Sequence, residues 1–458
     1  GLIGNAGTAL GAVTINSSGA GTVALAGIGT SNAAGVTGAT AIGNNSTASI
    51  TLDGTVYKTT GDQTYTAATG DENIIITSGA TSAVAITTAG GNIEFATSGV
   101  DLQNDNTTTI TSGGGTITFG ADLESGDGGN DDLLVISSGA GDVTFTGAIG
   151  VTHELGGLDV NATTAGSGDI TFSGNIGASG QNAQPGIEGT TAIGTTTTEN
   201  VHFAGSLYSF DGGTTTITAT TDSGSGDDEN IEVGAAVTFQ AVGEGLTFAG
   251  GKIDLANGAN LTVNNTNGAI SISGIAGNTD ETVSIDAGTS TVALGAVGDS
   301  TSLEIHTLEV TGDGGITLSG DIYTSSDATS TADITFNDTV KIDGTVVIDS
   351  NDDARDGTIT FTTGIEGLDG SGDNLTIEGG TAAVTLVPIG VNTALSSLTI
   401  ANATTSTAAI TVPNIGSGAI STTTGTGVTG AVSIGNTSAD SIVMSGNIYK
   451  TGGAVTLT

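Results

Sequence analysis

The sequence predicts an all-β protein, a parallel β-solenoid with three-sided coils of about 25 residues. Three observations predict this fold: a short aromatic motif that returns about once per coil, longer internal repeats, and a composition rich in glycine but poor in charged and aromatic residues. Tandem β-sandwich domains are the alternative, because the longer repeats, of 115 to 151 residues, also have the size of such domains.

The aromatic motif consists of an aliphatic residue, then usually Thr, then Phe. In the first half of the chain its Phe residues lie 24, 26, 27 and 31 residues apart; they are Phe95, Phe119, Phe145, Phe172 and Phe203. The motif returns at Phe239, Phe248, Phe336 and Phe361. Two more strand candidates, residues 100–102 and Thr107–Thr111, follow the first Phe, so one period holds about three short strands. Because like residues stack along the axis of a solenoid, we expect the Phe side chains to form columns in the interior.

Longer repeats are marked by the element Gly-x-(aliphatic)-Tyr, which ends at Tyr57, Tyr208, Tyr323 and Tyr449. Each Tyr is expected to be a packing residue at a fixed phase of the repeat, with a contact between adjacent rods as the functional alternative. The landmarks divide one continuous array into super-repeat phases at residues 1–57, 58–208, 209–323, 324–449 and 450–458. Residues 389–458 echo the first fifty-odd residues, so the end of the chain repeats its beginning.

The composition favours strands over helices. Charged residues are 11% of the chain and aromatic residues 3%, with 78 Gly, 3 Pro and no Cys or Trp. Glycine at this frequency prevents long helices, and no window has the 3.6-residue periodicity of an amphipathic helix. Aliphatic residues that alternate with Thr predict short strands with one face inward, separated by Gly- and Asn-rich turns.

The charge balance excludes several classes of partner. Five cationic residues oppose 47 acidic ones, which gives a formal net charge of -42. Such a chain cannot neutralise phosphates, so we expect no nucleic acid and no anionic lipid surface as a partner. No apolar stretch reaches the roughly 18 residues of a membrane-spanning helix. The chain begins without Met or an export signal, as expected of a segment processed or excised from a longer exported protein.

The Gly-rich turns, Thr/Val/Ile strands, (aliphatic)-Thr-Phe motifs and nested repeats together resemble those of the filamentous haemagglutinin-like class of large bacterial exoproteins. The resemblance covers the whole chain and rests on repeat character rather than on a diagnostic signature. It implies a right-handed parallel β-helix, exported and displayed as a fibre or adhesin. Residues 180–199, with Pro185, depart from the strict coil length and leave room for a loop.

Three acidic clusters offer the oxygen ligands that Ca²⁺ prefers. The first, Asp127, Asp131 and Asp132, lies in a Gly-Asn-Asp-x-Leu stretch that matches the kernel of calcium-binding β-roll repeats, although the ligands do not recur in the next repeat. The other two are Asp222, Asp227, Asp228 and Glu229, and Asp352, Asp353 and Asp356. Each cluster is either a Ca²⁺ site or a solvated acidic turn, and no other cofactor is expected.

Nothing in the sequence indicates catalysis. His153, His202 and His306 lie in different coils and lack the spacing of a metal site or of a nucleophile and its base, so we expect surface or corner residues. Paired carboxylates are unavoidable in so acidic a chain and therefore do not indicate glycoside cleavage. We expect no enzyme, and an extracellular polysaccharide-active β-helix is the least favoured hypothesis.

The expected function is structural. We expect an extracellular protein of the bacterial cell surface that forms a β-solenoid fibre, surface layer or sheath, with itself as partner through head-to-tail or lateral assembly. At the ends, another copy or the next stretch of a longer chain would continue the stack. The alternative is an adhesin whose Ca²⁺-stabilised solenoid is a stalk for a loop, near residues 180–199, that binds a glycan or protein receptor.

Overall fold

The computed structural model describes residues 2–4, 8–15, 21–78, 82–103, 106–126, 132–164, 166–178, 186–220, 231–278, 280–299, 303–325, 332–350, 356–380, 382–401, 409–418, 426–435 and 441–458, with Asp71 described through its backbone only. Strands and turns make up these ranges, which contain no helix. The described chain accordingly has no helix of the length and apolarity that a bilayer crossing requires.

The chain divides into two compact units whose boundaries interleave. The first comprises Gly1–Gly234, Phe239–Glu244 and Phe248–Gly251. The second comprises Ala235–Thr238, Gly245–Thr247 and Lys252–Thr458. Each unit by itself is a parallel β-solenoid, and together they hold about 15 turns.

The strands of the first unit are short. They are β1 (Val13–Ile15), β2 (Thr22–Leu25), β3 (Thr40–Gly43), β4 (Ser49–Leu52), β5 (Val56–Lys58), β6 (Gln63–Ile76), β7 (Val84–Thr87), β8 (Ile93–Leu102), β9 (Thr107–Thr111), β10 (Ile117–Phe119), β11 (Leu123–Ser125), β12 (Leu133–Ser137), β13 (Val143–Phe145), β14 (Gly157–Val160), β15 (Ile170–Phe172), β16 (Thr191–Ile193), β17 (Val201–Phe203), β18 (Leu207–Asp211), β19 (Thr215–Ala219) and β20 (Ile231–Val233).

Two strands contain residues of both units, and twenty more follow in the second. The two are β21 (Val237–Val242) and β22 (Leu246–Gly250). The others are β23 (Ile253–Leu255), β24 (Leu261–Asn265), β25 (Ile270–Ala276), β26 (Thr282–Asp286), β27 (Val292–Val297), β28 (Thr307–Thr311), β29 (Ile316–Leu318), β30 (Ile322–Tyr323), β31 (Ile334–Phe336), β32 (Val340–Ile342), β33 (Thr345–Asp349), β34 (Ile359–Phe361), β35 (Ile365–Gly367), β36 (Asn374–Glu378), β37 (Val384–Thr385), β38 (Ser397–Ala401), β39 (Ile410–Val412), β40 (Val432–Ile434), β41 (Ile442–Met444) and β42 (Val455–Leu457).

One coil consists of three strands, and the next coil lays its strands beside them in parallel register. β10, β11 and β12 form such a coil; β13 then pairs with β10 and β14 with β12, while Leu123 of β11 bridges to Ile149. The same parallel pairing joins β26 to β28 and β36 to β38 in the second unit. The predicted solenoid is therefore confirmed, and tandem β-sandwiches are excluded because their sheets are antiparallel.

The (aliphatic)-Thr-Phe motif forms a strand whose two apolar residues face inward. In β10, β13 and β15 the aliphatic residue and the Phe are buried, and the Thr between them is half-exposed. This follows from the two-residue period of a strand, which sends successive side chains to opposite faces.

Five Phe residues of the first unit form a continuous stacked column, as the motif spacing predicted. Their ring centroids lie 4.9 to 5.4 Å apart in nearly parallel stacks; the column runs through Phe95, Phe119, Phe145, Phe172 and Phe203. Tyr65 stacks on Phe95 at 5.4 Å and begins the column. In the second unit, Phe336 stacks on Phe361 at 5.3 Å. We call the five-Phe stack the Phe column.

Where Asp or Asn precedes a motif strand, its side chain fastens one coil to the next. Oδ1 of Asp142 accepts the N–H of Asp169 at 3.1 Å, and Oδ1 of Asp169 accepts the N–H of Asn200 at 3.1 Å. Asp62 and Asn92 make the same bond earlier in the chain, at 2.8 and 2.9 Å. These carboxylates and amides satisfy backbone donors at the strand starts, which explains why Asp or Asn precedes the motif.

The Ile-Gly pairs lie where the backbones of two coils approach closely. The glycine has a positive φ, of 64° at Gly4 and 62° at Gly150 and Gly390, which only glycine adopts without strain. A Cβ at these positions would lie 2.1 to 2.3 Å from a carbonyl oxygen of a neighbouring coil. The pair is therefore a structural requirement of the turn.

Candidate functional site

Most of the predicted calcium ligands lie outside the described residues. They are Asp127, Asp131, Asp222, Asp227, Asp228, Glu229, Asp352 and Asp353. Asp132 is described and fully buried, and its Oδ2 accepts the hydroxyl of Ser125 at 2.7 Å. Within the part of the chain that the structure covers, no three His, Asp or Glu side chains form a group that could hold a metal ion. Ca²⁺ binding therefore stays a prediction.

Three of the four Tyr markers form the same hydrogen-bonded clamp. The hydroxyl of Tyr57 accepts the N–H of Gly54 at 2.8 Å and donates to the carbonyl oxygen of Leu25 at 2.6 Å. Tyr208 and Tyr449 repeat this arrangement in their own coils, each with the glycine three residues earlier and a carbonyl of the previous coil. Burial raises the pKa of Tyr57 and Tyr208, so both hydroxyls stay protonated and able to donate.

Tyr323 carries the same sequence element but lies in a different position. Tyr57 points inward and pairs with Ile28 of the previous coil. At the equivalent position of its own coil, the residue that pairs with Val297 is Ile322 and not Tyr323. A shift of one residue along a strand sends the next side chain to the opposite face, and Tyr323 is accordingly half-exposed. Partial burial, and then the carboxylates of Asp321 and Asp349, raise its pKa. Tyr323 is thus a surface residue in acidic surroundings.

Buried acidic residues gather at one corner of the first unit. Asp101 and Glu124 are paired in register on β8 and β11, and both are at least 95% buried, with exposures of 3% and 5%. Glu124 accepts the backbone N–H groups of Val151, Thr152 and His153 at 2.9 to 3.1 Å. We call Asp101, Glu124, Asp132 and His153 the acidic corner.

The acidic corner holds one carboxylate whose charge is poorly compensated. Gln103 donates to Oδ2 of Asp101, whereas Oδ1 of Asp101 and Nδ1 of His153 are buried without a hydrogen-bond partner. The backbone of Gly126 covers Oδ1 so closely that a Cβ there would lie 2.0 Å from it. Burial raises the pKa of Asp101 to about 7, against the bond from Gln103. The corner can therefore take up a proton near neutral pH.

Buried carboxylates at corners recur in the second unit. Glu366 is equivalent to Glu124 and accepts the N–H groups of Asn392 and Thr393 at 2.8 to 3.2 Å. Asp373 and Glu281 precede strands and accept three backbone N–H groups each. Backbone amides therefore satisfy these carboxylates in the way a cation would, and the acids serve to anchor turns.

His202 joins three successive coils on the outer face of the first unit. Its Nδ1 lies 2.6 Å from Oε2 of Glu232, and its Nε2 lies 3.8 Å from Oδ2 of Asp169. The hydrogen bond to Glu232 raises the pKa of the imidazole above its usual value. His306 is half-buried, with its Nδ1 3.3 Å from the carbonyl oxygen of Ser325.

The segment predicted to hold a receptor loop is partly built into the coils. Residues 180–185 lie outside the described residues. From there on, Ile187 is buried and bridges Leu155 and Phe210 of neighbouring coils, and β16 pairs with β14 and β19. Deleting all of residues 180–199 would therefore remove a strand of the solenoid.

The sequence repeat between the two ends of the chain is matched by the same pairing of residues in the structure. Ile3, Ile28 and Tyr57 bridge in sequence, as do Ile389, Ile415 and Tyr449. The same agreement holds for two further columns: Leu10, Val36 and Thr59 against Leu395, Val428 and Thr451, and Ile15, Ile42 and Tyr65 against Ile400, Ile434 and Leu457. The last coils therefore have the same register as the first.

Two features escaped the sequence analysis. The first is the burial of Asp101, Glu124 and Glu366, which lie in strands although sequence patterns assign acidic residues to the surface. Tyr65 was missed because its strand, Gln63-Thr64-Tyr65, departs from the Phe motif, although an aromatic residue 30 positions before Phe95 was a usable signal.

Comparison with known proteins gives no relative. No known family matches the chain, and no curated protein or solved structure matches it either.

Proposed function

We propose that this chain is an extracellular structural protein whose stacked coils form part of a fibre, surface layer or sheath of the filamentous haemagglutinin-like kind. The observation that carries the proposal is the parallel pairing of successive coils within each unit, which stacks the core residues in columns. Such a stack grows by adding coils without changing its cross-section, which is what a fibre requires.

The distribution of polar groups supports a mechanical role. The buried acids of the first and second units bind backbone amides, and each of the three Tyr clamps ties its own glycine to a carbonyl of the coil before it. These groups hold turns in place. The large negative charge of the chain keeps long particles apart from one another in solution.

Immunogold electron microscopy of the cells that produce the chain tests this function. An antibody against the purified protein is expected to label fibres or a layer outside the cell envelope. Label confined to the cell interior would overturn the proposal. Labelled fixed cells that lack fibres but carry an even coat would favour a surface layer over a fibre.

An adhesin stalk is the second candidate function. A deletion within residues 180–199 distinguishes it from the structural function. Because β16 belongs to the coil stack, the informative variant deletes residues 180–185 only. Loss of binding to host glycans or proteins, with an unchanged unfolding midpoint, would favour the adhesin.

A further inference from the structure

We infer that the outer face of the first unit carries a binding site for a divalent transition-metal ion, with Nε2 of His202 and Oδ2 of Asp169 as its two protein ligands. Glu232 orients the imidazole from its other side, and water completes the coordination. The inference goes beyond the proposed function and does not depend on it. We call Asp169, His202 and Glu232 the imidazole site.

The register of three strands brings these side chains together. β15, β17 and β20 lie side by side in parallel, and Thr171, His202 and Glu232 are paired in register on the outward face. Asp169 lies two residues before Thr171 and reaches His202 from the previous coil. On the inward side, β15 and β17 belong to the Phe column, which fixes their spacing. Ligands on packed strands are held more precisely than ligands on loops.

The hydrogen bonds of the imidazole site leave one nitrogen and one oxygen facing each other. Nδ1 of His202 donates to Oε2 of Glu232 at 2.6 Å. Oδ1 of Asp169 accepts the backbone N–H of Asn200 at 3.1 Å and its Nδ2 at 3.2 Å. Nε2 of His202 and Oδ2 of Asp169 then face each other at 3.8 Å. A histidine that binds a metal through one nitrogen commonly donates its other N–H to a carboxylate, which fixes the tautomer and the ring orientation.

The separation of 3.8 Å between Nε2 and Oδ2 favours a bridging ion. It exceeds the roughly 3.2 Å upper limit of an N–H···O hydrogen bond. Zn–N and Zn–O bonds are each about 2.0–2.2 Å long, so two ligand atoms of a tetrahedral site lie about 3.4 Å apart. Small side-chain rotations would therefore bring both atoms onto one ion without moving either strand.

The imidazole site is accessible to solvent. The side chains of His202, Asp169 and Glu232 are 30%, 36% and 33% exposed, so an ion can enter and keep water ligands. With two protein ligands rather than three, we expect binding to be exchangeable. When the imidazole is protonated, the incoming ion displaces the Nε2 proton to water.

The chemistry of the ligands selects the class of ion. The net charge of -42 attracts cations of every kind. Carboxylates alone prefer Ca²⁺ and Mg²⁺, whereas an imidazole suits Zn²⁺, Ni²⁺ and Cu²⁺. Among the described residues, His202 is the one histidine that forms an ion pair with a carboxylate. We therefore expect a transition-metal ion at this place rather than at the other two histidines.

A zinc titration followed by NMR of the histidine side chains tests the site. The full chain, labelled with ¹⁵N in histidine, is titrated with Zn²⁺ in an excess of Ca²⁺, which occupies the surface carboxylates. Zn²⁺ is expected to shift the Nε2 signal of His202 and to saturate it, while the signals of His153 and His306 stay in place. A His202 signal that Zn²⁺ leaves unshifted would overturn the inference.

Two matched substitutions separate the ligand from the general negative charge. Asp169→Asn keeps an oxygen acceptor for Asn200 but removes the carboxylate that would bind the ion. It is expected to weaken Zn²⁺ binding by at least the roughly tenfold loss that follows removal of an outer-shell partner. Asp142→Asn makes the same change one coil earlier, where Thr144 takes the place of a histidine, and is expected to have little effect. Equal weakening by the two substitutions would overturn the inference.

Thermal unfolding gives a second, independent measurement. Zn²⁺ is expected to raise the unfolding midpoint, because the ligands come together only in the folded chain. The rise is expected in the wild type and in Asp142→Asn and is expected to be lost in His202→Gln. Glu232→Gln is expected to need about tenfold more Zn²⁺ for the same rise, because Glu232 positions the imidazole without touching the ion. An equal rise in His202→Gln would contradict the site. The proposed fibre would still stand, because the stack of coils does not require the ion.

Discussion

The hydroxyl of Tyr208 donates to the carbonyl oxygen of Phe172 at 3.1 Å and so joins two successive coils. The same hydroxyl accepts the N–H of Gly205 at 2.7 Å, which leaves this backbone donor dependent on one side chain. The repeated Tyr is therefore a fastening between coils as well as a packing residue, and its hydroxyl contributes to the stability of the turn.

Tyr208→Phe is expected to destabilise the protein by about 1–2 kcal/mol, because it removes both hydrogen bonds and leaves the half-buried N–H of Gly205 without its acceptor. Tyr323→Phe is the matched control. Its side chain is half-exposed and makes no clamp, so its effect is expected to stay within about 0.5 kcal/mol. Urea unfolding followed by circular dichroism measures both, and equal losses would contradict a role for the clamp.

The Phe column is expected to dominate the stability of the first unit. Phe145→Ala removes a ring stacked at 5.0 and 4.9 Å on its two neighbours and is expected to cost about 3–5 kcal/mol. Thr144→Ala, on the outward side of the same strand, is expected to change the free energy of unfolding by less than about 0.5 kcal/mol. A small effect of Phe145→Ala in urea unfolding would mean that the column is not packed as described.

His202 predicts a pH-dependent contribution to stability. Its bond to Glu232 raises its pKa in the folded state, so the stabilisation is complete below the usual pKa of about 6.5 and disappears as the pH rises through the raised value. The wild type is expected to lose about 0.5–1 kcal/mol more than His202→Gln between pH 5.5 and pH 8.5. If the free energies of unfolding of the two proteins change equally with pH, the His202–Glu232 pair contributes nothing to stability.

Asp101 also predicts that stability falls as the pH rises, in this case because burial raises the pKa of its carboxyl group. Its folded-state pKa of about 7 exceeds its usual value of 3.8, so the folded state is favoured below pH 4 and loses stability as the pH rises through 7. Glu72 and Asp132 disfavour the charged form, and His153 favours it.

Asp101→Asn is therefore expected to stabilise the protein at pH 8, by on the order of 1 kcal/mol, and to have little effect at pH 4. Asp343→Asn, at an exposed residue, is expected to leave the profile unchanged. Thermal unfolding midpoints at the two pH values measure the effect. Destabilisation by Asp101→Asn at pH 8 would show that the carboxylate has a partner at its Oδ1.

The sequence predicted the fold best where one residue type repeats at one position. The Phe motif specified the strand, its inward face and its register together, because a column of rings is possible only if the backbone returns to the same place in every coil. Tyr323 shows the limit of such patterns. Its sequence element matches that of Tyr57, but a shift of one residue, which no local pattern encodes, sends the ring outward.

The polar interior was not predictable for a related reason. Glu124 and Glu366 lie in acidic stretches that look like solvated turns, and only the return of the chain one coil later brings the amides that bind them. Burial of a carboxylate depends on donors distant in sequence, so composition and spacing carry no signal for it.

The most direct test of the account is a cryo-EM map of the purified chain at side-chain resolution. The account predicts that Phe95, Phe119, Phe145 and Phe172 form one column with about 5 Å between successive rings, as adjacent parallel strands require. A map in which these four rings lie in separate hydrophobic cores would contradict the stacked coils and every proposal that rests on them.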